Sequence, residues 1–270
     1  MAERIYIENL HQRIDDPSGD AAVRQLVYTI NTMIERLEKE VRKQVFFISD
    51  ASHEMRTPIA VIKGYIDLLN RWGKNDPKVI QEAINAIKLE TERMSSLITM
   101  LLSLVRSGDA ANGSKLQMTS LNAAARTVLR ELEVLNNDGL AALSEESDEY
   151  VLGNSEMIMQ MIHIFIDNGL KYAKANSEPM QIIISGDENG SYLTVKDSGI
   201  GIHEDDLPYI FERFYRADKS RSGHMPGFGL GLAIADAISR VHDATIAVHS
   251  ELGIGTEFTV RFPKPLRTEE

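Results

Sequence analysis

The sequence contains no cysteine, which excludes disulfide bonds, thiolate metal sites and cysteine nucleophiles, and suits a reducing compartment. It has no apolar run near the roughly 18 residues of a membrane span, and its N-terminus has no signal-peptide apolar core. It also has no basic excess, since its formal net charge is −11. Nucleic-acid binding needs a basic face, so no nucleic-acid partner is expected. We therefore expect a soluble, intracellular piece of protein.

The negative charge is confined to the second part of the 270-residue chain. Residues 1–107 are neutral overall, whereas residues 108–270 carry the whole excess of acidic side chains. The change falls next to SGDAANGS at residues 107–114, and a stretch rich in glycine, serine and asparagine is typical of a linker. These observations predict two domains joined at residues 108–114.

The first part has the apolar period of a coiled coil. Spacings of four and three alternate along one seam: Val23, Val27, Ile30, Ile34, Leu37 and Val41. A second step of four, from Val41 to Val45, is a stutter that locally unwinds a left-handed supercoil. The seam then continues through Met55, Ile59, Ile62, Ile66 and Leu69.

A second helix with its own seam follows a short break. Gly73 predicts a helix end, and Asp76 before Pro77 predicts an N-cap and a first helical residue. The second seam comprises Ile80, Ile84, Ile87, Thr91, Met94, Ile98, Leu101 and Val105. Because one antiparallel hairpin cannot cover both seams, we expect two chains to form a four-helix bundle as a homodimer.

His53 is expected to point toward solvent from the first helix. It lies two residues before Met55, and two helical steps rotate a side chain by about 200°. Pro58, in the same helix, removes an N–H group and clashes with the preceding turn, at a cost of about 3 kcal/mol. An exposed imidazole beside such a defect favours a functional role. A solvated surface histidine is the alternative interpretation.

The second part has the pattern of an α/β domain. Helices are predicted near residues 155–173 and 229–241. Two β-hairpins are predicted, joining residues 181–185 with 192–195 and residues 245–249 with 256–262. Antiparallel strands covered by helices on one face predict an α+β two-layer sandwich.

Three glycine clusters and a basic stretch occur in this domain. The clusters are Asp197–Gly201, Gly227–Gly231 and Gly253–Thr256. The second runs into a helix, whose N-terminal N–H groups can hold phosphate oxygens, although neither the dinucleotide fingerprint nor the Walker motif is present. The basic residues Arg213, Arg216, Lys219 and Arg221 lie between the first two clusters. They favour a lid over a polyphosphate, against the alternatives of simple turns and a solvated charged face.

Asn168 and Lys171 are further candidates for the same site. Asparagine is a poor helix former, so a mid-helix Asn168 indicates either a satisfied core amide or a functional group. Its carbonyl oxygen is a ligand type that suits Mg²⁺. Lys171 lies three residues further on, on the same helical face, where it can neutralise phosphate charge.

These segments, in this order, resemble the sensor histidine kinases of bacterial two-component systems. Residues 52–58 (SHEMRTP) resemble the phospho-acceptor box, and residues 167–172 (DNGLKY) resemble the asparagine box. The three glycine clusters are similar to the family's glycine boxes, and residues 210–214 (IFERF) to its phenylalanine box. Residues 20–40 are similar to the second helix of a HAMP signal relay.

The resemblance implies a helical hairpin that dimerises into a four-helix bundle, followed by a two-layer α+β ATP-binding domain of the GHKL type. The expected division is an unassigned segment at 1–19, a HAMP-like helix at 20–42 and a phosphotransfer domain at 43–107. The division continues with the linker at 108–114, the ATP-binding domain at 115–265 and a tail at 266–270. Such kinases are anchored in a membrane upstream, so the chain is expected to be the cytoplasmic portion of a membrane receptor.

The resemblance also implies a role for each site residue. Asn168 would coordinate Mg²⁺ on the ATP phosphates, and Asp197 would accept a hydrogen bond from the adenine amino group. The residues implied along the adenine and phosphate path are Lys171, Tyr172, Gly199, Gly201, Arg216 and Thr256. The residues implied in the loop over the triphosphate are Gly227, Gly229, Gly231 and Leu232.

His53 would be the nucleophile that attacks the γ-phosphorus, with Glu54 as its base or as the acceptor that fixes its tautomer. The phosphoryl group would then pass to an aspartate in the receiver domain of a response regulator. Thr57, one turn below His53, would position water for dephosphorylation of that regulator. An ATPase of the same superfamily without phosphohistidine, and a non-catalytic dimeric relay, are the alternatives.

Two positions depart from the family pattern. Ile164 stands where an asparagine is usual, which leaves one amide at the metal site. Pro226 replaces a usual glycine, which predicts a stiffer lid hinge.

Overall fold

The computed structural model describes residues 13–14, 21–71, 76–110, 116–134, 139–175, 177–217 and 227–265. The predicted tail at 266–270, the basic residues Lys219 and Arg221, and the hinge residue Pro226 lie outside them, as do residues 111–114 of the predicted linker. The chain divides into two compact units, residues 1–94 and 95–270. No helix of the described residues has the length and apolarity needed to cross a bilayer.

Two long helices form the first part, as predicted. Helix α1 (Ala21–Arg71) is continuous through Pro58, and helix α2 (Pro77–Ala110) follows. Asp76 caps α2 as expected, since its carboxylate accepts the N–H of Lys78 at 2.9 Å. The linker prediction is wrong at its start, because residues 108–110 belong to α2.

The buried face of α2 differs from the predicted seam. Ala83, Leu97 and Leu104 are buried, whereas Ile84 and Ile98 on the seam are nearly half exposed. The buried positions each precede a seam position by one residue, which corresponds to a rotation of about 100°. The single chain therefore covers one apolar stripe of α2 and leaves the adjacent one exposed.

The second part is a two-layer sandwich with a mixed sheet. Its elements are β1 (Gln117–Ser120), α3 (Leu121–Val134), β2 (Ala141–Glu145), β3 (Tyr150–Gly153), α4 (Ser155–Lys171), β4 (Met180–Gly186), β5 (Ser191–Asp197), a 3₁₀ turn (Leu207–Tyr209), α5 (Gly231–Val241), β6 (Thr245–Glu251) and β7 (Gly255–Phe262). The five-stranded sheet has the order β2-β4-β5-β7-β6, and β1 pairs with β3 in a separate ribbon.

Both predicted hairpins are confirmed, as antiparallel β4–β5 and β6–β7 pairs. The sheet also contains β2, a strand that the sequence did not predict, which pairs with β4 in parallel at one edge. The strands β4, β5 and β7 alternate buried and more exposed residues, so one face of the sheet is covered by helices. Phe165 of α4 stacks on Phe258 of β7 at 4.8 Å between ring centroids, in the core between the layers.

Candidate functional site

Helix α4 places Asn168 in its last turn. The helix is capped by Asn154, whose side chain accepts the N–H of Met157 at 3.1 Å. Gly169 lets α4 approach the sheet, because a Cβ there would collide with the sulfur of Met180 and lie 3.3 Å from Cβ of Asp197. The Nδ2 atom of Asn168 is buried and has no hydrogen-bond partner in the described part of the chain. A buried amide in this state is suited to a ligand.

Asp197 ends strand β5 beside this helix. Its Oδ1 accepts the N–H of Gly199 at 2.8 Å and the N–H of Thr256 at 3.2 Å. Burial raises the pKa of Asp197 above its ordinary value, and the two N–H groups and Lys174 oppose that shift. Within the described residues Oδ2 accepts no hydrogen bond, so this oxygen can accept one from a ligand.

Three glycines allow the loops around Asp197 to pack against each other's main chain. A Cβ on Gly199 would lie 2.6 Å from the carbonyl oxygen of Tyr172. A Cβ on Gly201 would collide with the carbonyl of Glu251, and one on Gly255 with the carbonyl of Asp197 itself. Gly201 also has a positive φ of 70°, which favours glycine. No other residue type fits these positions without moving the backbone.

Ser250 holds the far side of the same cleft. It faces Thr256 in the β6–β7 register, its hydroxyl lies 2.9 Å from that of Thr256, and it accepts the N–H of Ile202 at 2.8 Å. Ser250 is not among the site residues predicted from the sequence. The one sequence feature that could have pointed to Ser250 is its position opposite the third glycine cluster in the predicted hairpin.

The cleft also contains a lysine close to the second glycine cluster. A Cβ added to Gly227, where φ is 148°, would collide with Nζ of Lys171, so that ammonium group lies against the glycine backbone. Lys171 also lies 4.9 Å from the ring centroid of Tyr172. The ammonium group of Lys171 therefore lies next to the main chain of Gly227, a residue without a side chain that could block a ligand.

Helix α5 begins within this cluster, at Gly231, two residues later than Gly229, the predicted start. Its N-cap is Leu230, which makes no side-chain capping bond. First-turn N–H groups without a capping side chain form an anion site. Leu232 and Arg216, also predicted in the site, are both half-buried.

The predicted phospho-acceptor group lies on α1. His53, Glu54 and Thr57 are exposed, as expected for His53. The Nδ1 atom of His53 lies 3.4 Å from Nη1 of Arg56. Between the described side chains of His53 and Glu54 there is no hydrogen bond, so the expected contact that would fix the tautomer is absent from this arrangement.

Direct contacts therefore bring together, within the second unit, the candidates at residues 168–172, 197–201, 227–231 and 256. His53, Glu54 and Thr57 share one exposed helical face of the first unit.

Two protein families match the chain. Residues 43–110 match the His Kinase A (phospho-acceptor) domain. Residues 153–266 match the histidine kinase-, DNA gyrase B-, and HSP90-like ATPase family. The first match contains His53, and the second contains Asn168 and all three glycine clusters.

Individual relatives agree with these matches. The sensor histidine kinase YkoH of Bacillus subtilis is 37% identical over 239 residues, which cover 88% of this chain and 52% of the relative. The signal transduction histidine-protein kinase ArlS of Staphylococcus aureus is 35% identical over 246 residues, covering 89% of this chain and 53% of ArlS. The chain thus spans about half the length of these curated relatives.

Solved structures show the same fold. The histidine kinase ThkA, in complex with the response regulator protein TrrA, has a TM-score of 0.65 at 20% identity, over 87% of this chain and 67% of ThkA. The histidine kinase AdeS of Acinetobacter baumannii has a TM-score of 0.59 at 22% identity, over 78% of this chain and 97% of AdeS. With a phospho-acceptor domain followed by an ATPase-type domain, the chain belongs to the sensor histidine kinases of two-component systems.

Proposed function

We propose that this chain uses ATP to phosphorylate its own His53 and then passes the phosphoryl group to an aspartate of a response regulator. The observation that carries the proposal is an exposed imidazole on α1 in a chain whose second unit contains Asn168, a buried amide whose Nδ2 has no hydrogen-bond partner among the described residues. An exposed nucleophile and a site for a phosphate ester are the two parts that phosphoryl transfer requires.

The adenine end of the nucleotide fits beside Asp197. The two N–H groups that bind Oδ1 fix the carboxylate and leave Oδ2 to accept the adenine amino group. Gly199 and Gly201 shape this end of the site, since without side chains their loop packs directly on the main chain of Tyr172 and Glu251. Thr256 supports this end, through its N–H to Asp197 and its contact with Ser250.

The phosphate end fits between α4 and α5. Lys171 supplies positive charge next to Gly227, and the uncapped start of α5 supplies N–H donors to phosphate oxygens. Tyr172, Arg216 and Leu232 line this end in our proposal. Asn168 fits a magnesium–phosphate group, since its amide offers one hard oxygen and one unpartnered N–H. A bound Mg²⁺ would neutralise charge on the phosphates, and Asn168 would hold it.

His53 then acts as the nucleophile through Nε2. The new bond joins Nε2 to the γ-phosphorus, the bond from that phosphorus to the bridging oxygen breaks, and ADP leaves with the electron pair. This requires the neutral ring to carry its proton on Nδ1, where Glu54 can accept it. Because the Arg56 contact instead favours a lone pair on Nδ1, we expect Arg56 to move away before reaction.

We also propose that Thr57 supports dephosphorylation of the regulator. Thr57 is exposed, one helical turn from His53, where its hydroxyl can orient a water molecule toward a phosphoaspartate docked on α1. Thr57→Ala should keep autophosphorylation within about twofold and slow regulator dephosphorylation at least about tenfold. Equal loss of both activities would contradict this role.

The remaining assignments follow from the same proposal. The domains are a HAMP-like helix at 20–42, a phosphotransfer domain at 43–107 and an ATP-binding domain at 115–265. The unbroken course of α1 from Ala21 past His53 supports a relay from the HAMP-like part to the phospho-acceptor. The proposed partners are a second copy of the chain and a receiver domain, and the proposed setting is the cytoplasmic portion of a membrane-anchored receptor.

The test uses ATP labelled at the γ-phosphate. Label should enter the wild-type chain, survive base and be lost in acid, as phosphohistidine requires, and His53→Gln should abolish it. His11→Gln is a control, since it removes another histidine of the chain. Hydrolysis of ATP without retained label would instead support the ATPase alternative.

A further inference from the structure

Phe214 has an unusual backbone conformation close to the glycine cluster at residues 227–231. Its φ is 61°, in the left-handed region that large side chains avoid. Such strain persists only where the surrounding structure holds it, and it is concentrated near functional sites. The contacts around Phe214 therefore indicate what this strain maintains.

The first of these contacts joins Phe214 directly to the glycine cluster. Its N–H donates to the carbonyl of Gly229 at 2.9 Å. Gly229 also has a positive φ, of 69°, and a Cβ there would lie 2.6 Å from the carbonyl oxygen of Tyr215. The backbone at 214–215 and the backbone at Gly229 thus fix each other.

The second contact fixes Tyr215 from the opposite side. Its hydroxyl donates to Oδ1 of Asp206 at 2.6 Å, and its ring lies 5.6 Å from that of Tyr209. Asp206 is the N-cap of the 3₁₀ turn Leu207–Tyr209, so it has a defined backbone position. Hydrogen bonding to Asp206, aided by burial, raises the pKa of Tyr215 to about 12, so the phenol remains a donor at neutral pH.

We propose that Asp206 and Tyr215 are positioning residues that set the conformation of the glycine loop at 227–231 for nucleotide binding. The hydrogen bond between their side chains, which we call the Asp206–Tyr215 strut, holds Tyr215 against Gly229 and keeps Phe214 in its left-handed conformation. Neither side chain touches the nucleotide in this proposal. The inference rests on the proposed function, because the loop is taken to be the one that binds the ATP phosphates.

The strut acts by preorganising the loop. Without the strut, Phe214 can return to a right-handed backbone conformation. Its N–H then no longer donates to the carbonyl of Gly229, and the glycine loop is no longer held in one conformation. A nucleotide then has to order the loop as it binds, which weakens binding. The chemical step, once nucleotide is bound, involves the same groups as before. The expected effect is therefore a higher KM for ATP with little change in kcat.

Tyr215→Phe removes the hydroxyl and leaves the ring. We expect the KM for ATP in autophosphorylation, and the Kd for ADP, to rise about fivefold to tenfold, with kcat within about twofold of wild type. Tyr209→Phe is the matched control: it removes a hydroxyl that has no hydrogen bond within the described residues, from the ring that contacts Tyr215. It should leave both constants unchanged.

Two variants of the acceptor test the strut from its other end. Asp206→Ala removes the acceptor and should match Tyr215→Phe, whereas Asp206→Asn keeps an oxygen at the same place and should stay within about threefold of wild type. In the double variant Asp206→Ala/Tyr215→Phe, the two losses should not add, since both remove one hydrogen bond. Additive losses, or equal effects of Tyr215→Phe and Tyr209→Phe, would overturn the proposal.

The ADP titration separates this inference from the proposed function. If wild-type His53 never becomes labelled but Tyr215→Phe weakens ADP binding, the kinase assignment fails and the strut stands. If His53 is labelled normally and neither KM nor Kd changes in Tyr215→Phe, the strut fails alone. Far-UV circular dichroism shows whether each variant is folded, and Asp206→Ala replaces Tyr215→Phe as the test if Tyr215→Phe does not fold.

Discussion

The buried Nδ2 of Asn168 has no hydrogen bond to any described residue, and a buried donor without an acceptor costs about 1–3 kcal/mol. A bound ligand that accepts from Nδ2 would relieve this cost. Asn168→Asp replaces the N–H donor with a second carboxylate oxygen beside the phosphates. We therefore predict a loss of at least about 100-fold in autophosphorylation and a large loss of Mg²⁺-dependent ADP binding.

The control for this prediction is Asn189→Asp, the same chemical change in the exposed turn between β4 and β5. It should leave autophosphorylation and ADP binding at wild-type values. If Asn168→Asp bound nucleotide and magnesium normally, Asn168 would have no role at the phosphates, and the non-catalytic relay would become the better interpretation.

His242 makes the stability of the second unit sensitive to acid. The side chain is buried, its Nδ1 lies 2.7 Å from the carbonyl of Ile238, and its Nε2 accepts the N–H of Asn154 at 3.0 Å. The ring must be neutral to make both bonds. Burial lowers the pKa of His242, and the carbonyl of Ile238 and the charge of Asp243 oppose this shift. Because the unfolded chain has the ordinary pKa of about 6.5, it binds the proton first as pH falls.

The contribution of His242 to the free energy of unfolding is therefore fully present above about pH 6.5, and it declines as the pH falls below that value. We predict that the urea midpoint of the wild-type chain decreases between pH 7.5 and pH 5.5. His242→Gln should be destabilised by about 1–3 kcal/mol at pH 7.5 and should show a smaller decrease with acid. His249→Gln, at an exposed position on β6, should keep the wild-type pH dependence. An unchanged decrease in His242→Gln would assign the acid sensitivity to other groups.

Individual site residues differ in how far sequence reveals them. The exposure of His53 follows from its place on the helical period, so it was predicted. Asn168 and Asp197 were predicted from residue types and from resemblance. The contact of Arg56 with His53 and the strut between Asp206 and Tyr215 were not, because each depends on a side-chain rotamer or a loop conformation that no periodicity encodes. The positive φ of Phe214 has the same cause.

One amide side chain of helix α1 binds the main chain of Ile14, which precedes the helix. Asn31 accepts the N–H of Ile14 at 3.0 Å and donates to the carbonyl of Ile14 at 3.0 Å. Arg13 also pairs with Glu38 at 2.8 Å. We predict that Asn31→Ala speeds hydrogen exchange of the Ile14 amide about tenfold, since each bond contributes about 1 kcal/mol.

Thr32→Ala is the control for Asn31. It lies one residue away, and its hydroxyl bonds to the carbonyl of Tyr28 within the same helix. Exchange at Ile14 should be unchanged in Thr32→Ala, as measured by NMR. If the Ile14 amide of the wild-type chain already exchanges as fast as a free peptide, the contact with Asn31 does not persist in solution.

Among the elements, long periodic helices and hairpins were predictable and short edge strands were not. Helices α1 and α2 each supply many turns of one repeating pattern, so their existence and course were clear. By contrast, β1, β2, β3 and α3 were not assigned. The strands have four or five residues, too few for a pattern, and the parallel pairing of β2 with β4 joins segments about 40 residues apart. No local signal specifies such a partner.

The whole molecule leaves apolar stripes of its two long helices exposed on a single chain. On α2, Ala83 and Leu97 are buried within the chain, while Ile84, Ile98 and Val105 form an exposed stripe beside them. On α1, Ile48, Ile59 and Ile66 are also exposed. Exposed apolar stripes of this length mark a protein interface. In the proposed dimer, a second copy of the chain covers the seam residues, and the residues that one chain buries lie beside them.

We accordingly predict that Ile98→Glu, which places a charge in the centre of this stripe, converts a dimer into a monomer. Burying an unpaired carboxylate costs several kcal/mol of association free energy. At micromolar concentration, a dimer that loses this much free energy dissociates. Sedimentation equilibrium of wild type and variant measures the change. Leu89→Glu is the matched control, since Leu89 is as exposed as Ile98 but lies on the opposite side of α2, so this variant should remain dimeric. A wild-type chain that sediments as a monomer at every concentration, or a dimeric Ile98→Glu, would refute the paired bundle.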